Sequence, residues 1–122
     1  MLSGTERPPA STCTVIADWA ASYADPIQMA VGDIITLDGR EDIWDGHRWL
    51  WARHRSGKEG WVPDCLISMG SPARALEDYT AMELTCRKGE KLIALRQLHG
   101  WVFCRNADKV AGWVPERKLR WV

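Results

Sequence analysis

The sequence predicts an all-β chain folded as two small five-stranded barrels in tandem. Repeated blocks carry most of that prediction. Trp49 is followed eleven positions later by Gly60-Trp61-Val62-Pro63, and Trp101 eleven positions later by Gly112-Trp113-Val114-Pro115. Upstream, Val15-Ile16-Ala17-Asp18-Trp19 matches Ala75-Leu76-Glu77-Asp78-Tyr79, and Gly32-Asp33-Ile34-Ile35 matches Gly89-Glu90-Lys91-Leu92. Matched blocks in a conserved order mark one structural unit present twice. The second observation is period-two alternation in Asp33-Ile34-Ile35-Thr36-Leu37, Trp49-Leu50-Trp51-Ala52, Lys91-Leu92-Ile93-Ala94-Leu95 and Trp101-Val102-Phe103-Cys104. It indicates half-buried strands, and no segment has a convincing helical period. The third is the turn chemistry between strands: Asp38-Gly39, Asp45-Gly46 and Ser56-Gly57 are expected as hairpin turns.

The elements follow in chain order. Residues 1–12, rich in Pro, Ser and Thr, are predicted to be a disordered tail. The first barrel is placed at 13–67 and the second at 75–122. Residues 68–74, with Gly70 and Pro72 as breakers, form the linker. Offsets between matched blocks fall from 60 to 57 to 52, so the first copy carries three extra residues in one loop and five in another. Trp44 and Trp51 lie in or after the longer first-copy loop.

Composition narrows the function classes. Sixteen acidic and sixteen basic residues leave no basic surplus to draw the chain onto nucleic acid or an anionic membrane. Eight of the eleven aromatics are Trp, a residue that fills small β cores or lines binding surfaces. The four cysteines include no CxxC pair, so neither a metal site nor a cofactor is expected. His47, His54 and His99 have no Ser or Cys at a telling spacing, so no catalytic residue is expected and the chain reads as a non-enzyme. The N-terminus lacks an apolar signal core and no apolar run approaches bilayer-spanning length, which predicts a cytoplasmic protein.

Taken together, the blocks resemble the Src homology 3 (SH3) family, in its divergent, bacterial variant form. The family pattern is an ALYDY strand, an ELSF turn, a Gly-Asp strand, a Trp, then G-x-x-P. The second copy supplies Ala75 to Tyr79, Glu83-Leu84-Thr85-Cys86, Gly89 to Leu92, Trp101 and Gly112 to Pro115. The first supplies Val15 to Trp19, Gly32-Asp33, Trp49 and Gly60 to Pro63. The resemblance implies barrels whose groove binds proline-rich or other extended peptides, which cost little ordering entropy on docking. Carried over by position, the first groove is Trp19, Asp25, Trp49, Pro63 and Leu66, and the second is Tyr79, Glu83, Trp101 and Pro115. Two groove tyrosines are replaced, by Ala17 and Leu66 in copy one and by Glu77 and Lys118 in copy two. Glu77 is expected opposite Lys118, which would deny copy two an aromatic pocket and favour copy one for a peptide.

The expected partner is therefore a protein or peptide, with no membrane and with nucleic acid disfavoured. Alternatives are a structural subunit packed on a larger complex, or a nucleic-acid-binding barrel of the same shape. Residues 15–67 hold nine acidic and five basic side chains, net −4, and residues 75–122 hold six and nine, net +3. Cys86 and Cys104 are expected as buried, reduced neighbours where copy one has Met29 and Ala52, a swap that conserves core volume.

Overall fold

The computed structural model describes residues 11–122. Its strands are β1 (Ser11–Val15), β2 (Gln28–Met29), β3 (Ile34–Trp44), β4 (His47–His54), β5 (Glu59–Pro63), β6 (Ile67–Ser68), β7 (Ala73–Ala75), β8 (Tyr79–Thr80), β9 (Lys91–Leu98), β10 (Trp101–Arg105), β11 (Ala111–Pro115) and β12 (Leu119–Trp121). Single 3-10 turns cover Asp64–Leu66 and Glu116–Lys118. The two five-stranded sheets run in the orders β5-β4-β3-β7-β6 and β11-β10-β9-β1-β12, and β2 pairs with β8. Most of the predicted tail lies outside the described residues, but Ser11 and Thr12 already belong to β1. Ser68, Ala73 and Arg74 of the predicted linker are strand residues too, which leaves 69–72 as a short connection between paired neighbours.

The two compact units are not the two repeats. One is continuous, Ala24–Met82; the other is split, Met1–Tyr23 together with Glu83–Val122. β1 opens the first repeat, yet it pairs with β9 and β12 of the second. β7 opens the second repeat, yet it pairs with β3 and β6 of the first. The repeats have exchanged first strands within one chain, the intramolecular form of a domain swap. The chain passes between units at Tyr23–Ala24 and again at Met82–Glu83.

Side-chain size accounts for the exchange. The repeat places Leu37 and Leu50 of the continuous unit where the split unit has the smaller Ala94 and Val102, while Met29 with Ala52 balances Cys86 with Cys104. The first strands compensate. β7 brings only Ala73 and Ala75 into the fuller barrel, whereas β1 brings Cys13 and Val15 into the emptier one. Without exchange, one core would be overpacked and the other left with voids, and close-packed interiors tolerate neither. Charge acts in the same sense. Thr14 of β1 lies directly between Arg120 and Lys91, whereas its counterpart Arg74 lies between Ser68 and Ile34. Keeping each first strand with its own repeat would set Arg74 between two cations, and like charges directly opposite on a sheet destabilise it.

The turns between strands divide into two kinds. Asp45-Gly46 and His99-Gly100 have positive φ at both positions and join adjacent strands, as two-residue hairpins require. Ser56-Gly57 closes the β4–β5 turn, with Gly57 N–H donating to His54 O. Asp38-Gly39 is not a turn. It lies inside β3, where the register shifts between Leu37 and Glu41, and forms a bulge. The five extra residues of the longer first-copy insertion are therefore not a loop. They extend the β3–β4 hairpin by the pairs Ile43↔Arg48 and Trp44↔His47 and enlarge the bulge, so Trp44 is a strand residue, and Trp51 lies in β4 as its alternation predicts.

Candidate peptide-binding grooves

In the split unit the groove starts at Trp101, the residue that follows the His99-Gly100 turn. Its register partner is Pro115, the last residue of β11, and the 3-10 turn carrying Lys118 follows at once. Trp19 stacks edge-on against Trp101, with ring centroids 5.6 Å apart at 78°. Trp19 Nε1–H donates to Glu83 Oε1 (3.1 Å), and the Ser22 N–H and hydroxyl donate to the same oxygen at 3.1 and 3.2 Å. The acid that the family resemblance assigns to a ligand cation is thus engaged by three donors of its own unit.

In the continuous unit Trp49 lies opposite Pro63, and the 3-10 turn that follows contains Leu66. The Tyr79 hydroxyl donates to Trp61 O on β5 (3.4 Å), and Leu76 N–H donates to Leu66 O (2.8 Å). Asp25 pairs with Lys58 (2.9 Å) and Glu41 with Arg48 (2.6 Å), all at exposed or half-exposed positions.

These contacts regroup the site residues expected from sequence. Trp19 joins Trp101, Pro115 and Glu83, not Trp49. Tyr79 joins the unit of Trp49, Pro63, Leu66 and Asp25, not that of Trp101. The expected Glu77–Lys118 opposition is overturned, since the two residues belong to different units. Ile16 N–H donates to Lys118 O and Leu76 N–H to Leu66 O, so the paired positions are Ala17 with Lys118 and Glu77 with Leu66. All of this follows from the strand exchange, because the family's groove draws residues from the first strand as well as the later ones. The groove floors are narrow. Trp49, Trp101 and Tyr79 are each 9% exposed, while Trp19 is half-buried.

A second aromatic surface, outside the groove positions, was not singled out from sequence. Trp51 and Trp61 meet edge-on at 5.1 Å, and the Arg40 guanidinium lies 4.8 Å from the centre of the Trp51 ring. Trp51 Nε1–H donates to Glu59 Oε1 (2.9 Å). Asp38, one residue into the bulge, hydrogen-bonds Arg40, which holds the Asp38 carboxyl below its usual range and raises the guanidinium. The alternation Trp49-Leu50-Trp51 already places Trp49 and Trp51 on one side of the sheet. What the sequence hides is the bulge that carries Arg40 over to Trp51.

The three cysteines of the split unit, Cys13, Cys86 and Cys104, are buried free thiols in one core cluster. Burial pushes the Cys86 thiol up to about 11. A hydrogen bond that Cys104 donates to Cys13, reinforced by burial, raises Cys104, and the same bond lowers Cys13. The expected Cys86 and Cys104 pair is thus a trio, its third member delivered by β1.

The sequence profile of the variant SH3 domain family matches the chain twice, over residues 12–67 and 72–122. A search of curated proteins finds no match to the chain. The two matches follow the repeats, whereas the folded units follow the exchange.

Proposed function

Because the chain belongs to the variant SH3 domain family, we propose that it is a non-catalytic protein-interaction module, an adaptor or accessory subunit of the cytoplasm that docks an extended, proline-rich peptide. The observation that carries this reading is that in each unit a Trp lies in register with a Pro, Trp49 with Pro63 and Trp101 with Pro115, and an aromatic residue of the other repeat, Tyr79 or Trp19, joins the same unit. The groove proposed for the peptide is that of the continuous unit, over Trp49, Pro63, Leu66 and Tyr79. Its unit also carries Asp25, Glu41, Asp42, Asp45 and Glu77, which suit a basic residue flanking the peptide. Releasing the exposed Asp25–Lys58 and Glu41–Arg48 pairs for such a residue costs little, since exposed pairs are worth about 0–1 kcal/mol.

The narrow exposure of Trp49, Trp101 and Tyr79 favours a second reading, in which these rings are barrel packing and the chain is a structural subunit. Capture of a partner from the source cell with the intact chain, followed by titration against folded Trp49→Ala and Trp101→Ala variants, separates the two. The peptide-groove reading expects Trp49→Ala to cost more than about 2 kcal/mol of binding, as central anchors do. Loss of binding with Trp101→Ala alone would move the site to the split unit. Binding unaffected by either variant would favour the structural reading.

A further inference from the structure

The outward face of the split sheet has a charge pattern that the grooves do not use. Across β12, β1 and β9 the register sets Arg120, Thr14 and Lys91 in one row, and across β1, β9 and β10 it sets Thr12, Ile93 and Arg105 in another. Arg120, Lys91 and Arg105 are exposed, and none forms an ion pair among the described residues. Arg87 and Lys88, in the turn before β9, are likewise exposed and outside any ion pair. The carboxylates at that end, Asp18 and Glu90, accept the backbone N–H groups of Lys88 (2.7 Å) and Arg87 (2.8 Å). In the continuous unit Arg40, Arg48 and Lys58 are ion-paired, whereas Arg53, Arg55 and Arg74 are exposed and outside any ion pair among the described residues. The corresponding row there is Ser68, Arg74 and Ile34, with a single cation. The basic face is therefore a property of this unit and not of the barrel in general.

We propose that this face docks an acid-rich segment of a partner protein. The proposal is independent of the grooves and names the chemistry of a second contact. Five exposed cations outside any ion pair, three on the sheet face and two in its adjoining turn, give a local positive field that attracts carboxylates. The two rows are polar or aliphatic between the cations, with Thr12, Thr14 and Ile93 at their centre. Phe103 and Trp113, on the neighbouring strands, pack on each other at 5.1 Å with Trp113 buried. The face thus lacks the open ring platforms on which single-stranded nucleic acid stacks.

The test is fluorescence anisotropy of the intact chain with three probes at low and physiological salt: a short labelled peptide of alternating Glu and Ser, oligothymidylate of matched charge, and phosphatidylserine vesicles. The peptide is expected to bind best and to weaken with salt. Lys91→Glu and Arg120→Glu should each weaken it about threefold or more, and the milder Lys91→Gln and Arg120→Gln less. Arg53→Glu, on the continuous unit, should change binding far less. Absence of peptide binding at low salt, binding indifferent to the reversals, or preference for oligothymidylate or vesicles would each overturn the proposal. A partner captured through Trp49 alongside any of those results would leave the groove reading standing.

Discussion

At the scale of single residues, the two glycines of the repeated Gly-Trp-Val-Pro block show how one motif position serves two barrels unequally. Neither is needed for a left-handed backbone. An added Cβ at Gly112 would lie 2.7 Å from the Glu83 carbonyl carbon and the Leu84 nitrogen, whereas at Gly60 it would lie 3.0 Å from the Ile27 Cγ2 methyl. Backbone cannot yield as a side chain can, so Gly112→Ala should cost more than Gly60→Ala, about 2–3 against about 1 kcal/mol. Chemical denaturation of the two variants checks the order; equal costs would show that the backbone of Glu83 and Leu84 moves freely. Asp33 supplies an acid-sensitive contact. Its carboxylate accepts Ala30 N–H (3.0 Å) and lies 2.8 Å from His54 Nε2, and these bonds, that to Ala30 first, hold it below its usual value. A depressed carboxyl stabilises the fold above its unfolded-state value of about 3.8 and loses that contribution as pH falls through the folded value. Asp33→Asn should therefore flatten the melting-temperature profile below about pH 4, while lowering stability at neutral pH.

At the scale of elements, the exchange rests on what each first strand presents to a core. Ala75 lies opposite Ile67, and Val15 lies opposite Leu119. Ala75→Val should overpack the continuous unit by about 1–3 kcal/mol. Val15→Ala should leave a void in the split unit and cost about 2–3 kcal/mol. Tryptophan-resolved thermal melts of the two variants should report losses in different units, Trp49 and Trp61 in the first case and Trp101 and Trp113 in the second. Strand identities, the repeat and the motif positions were legible in the sequence, because alternation and turn chemistry are local. The pairing of β1 and β7 was not, since matched blocks say which segments are equivalent and not which copies meet. The size complementarity was nonetheless visible in outline. It lies in Cys13 and Val15 of the first repeat against Ala73 and Ala75 of the second. The Asp38-Gly39 bulge was hidden for a similar reason: Asp-Gly marks a positive-φ position, and a bulge uses one as readily as a turn does.

At the scale of the whole molecule, the exchange decides which side chains make a site. Trp19 lies beyond the end of β1, at an isolated bridge to Cys86, and Tyr79 opens β8; both belong to the unit of the exchanged strand that precedes them. Charge divides along the same line: 24–82 carries ten acidic and six basic residues, net −4, against a net +4 for the remainder of the chain. The continuous unit contains all five strands of its own sheet in an unbroken stretch, in the order of a permuted barrel. An excised 24–82 fragment should therefore fold cooperatively, although its size of about 60 residues makes it marginal. The segment 75–122, cut at the repeat boundary, lacks β1 and should not fold. The exchange itself is read most directly by backbone nuclear Overhauser contacts of β1 in the intact chain. The account predicts cross-strand contacts from Thr14 to Lys91 and Arg120, with Arg74 contacting Ile34 and Ser68. Contacts from Thr14 to Ile34 and Ser68, with Arg74 facing Lys91 and Arg120, would show that each repeat closes on itself and would contradict it.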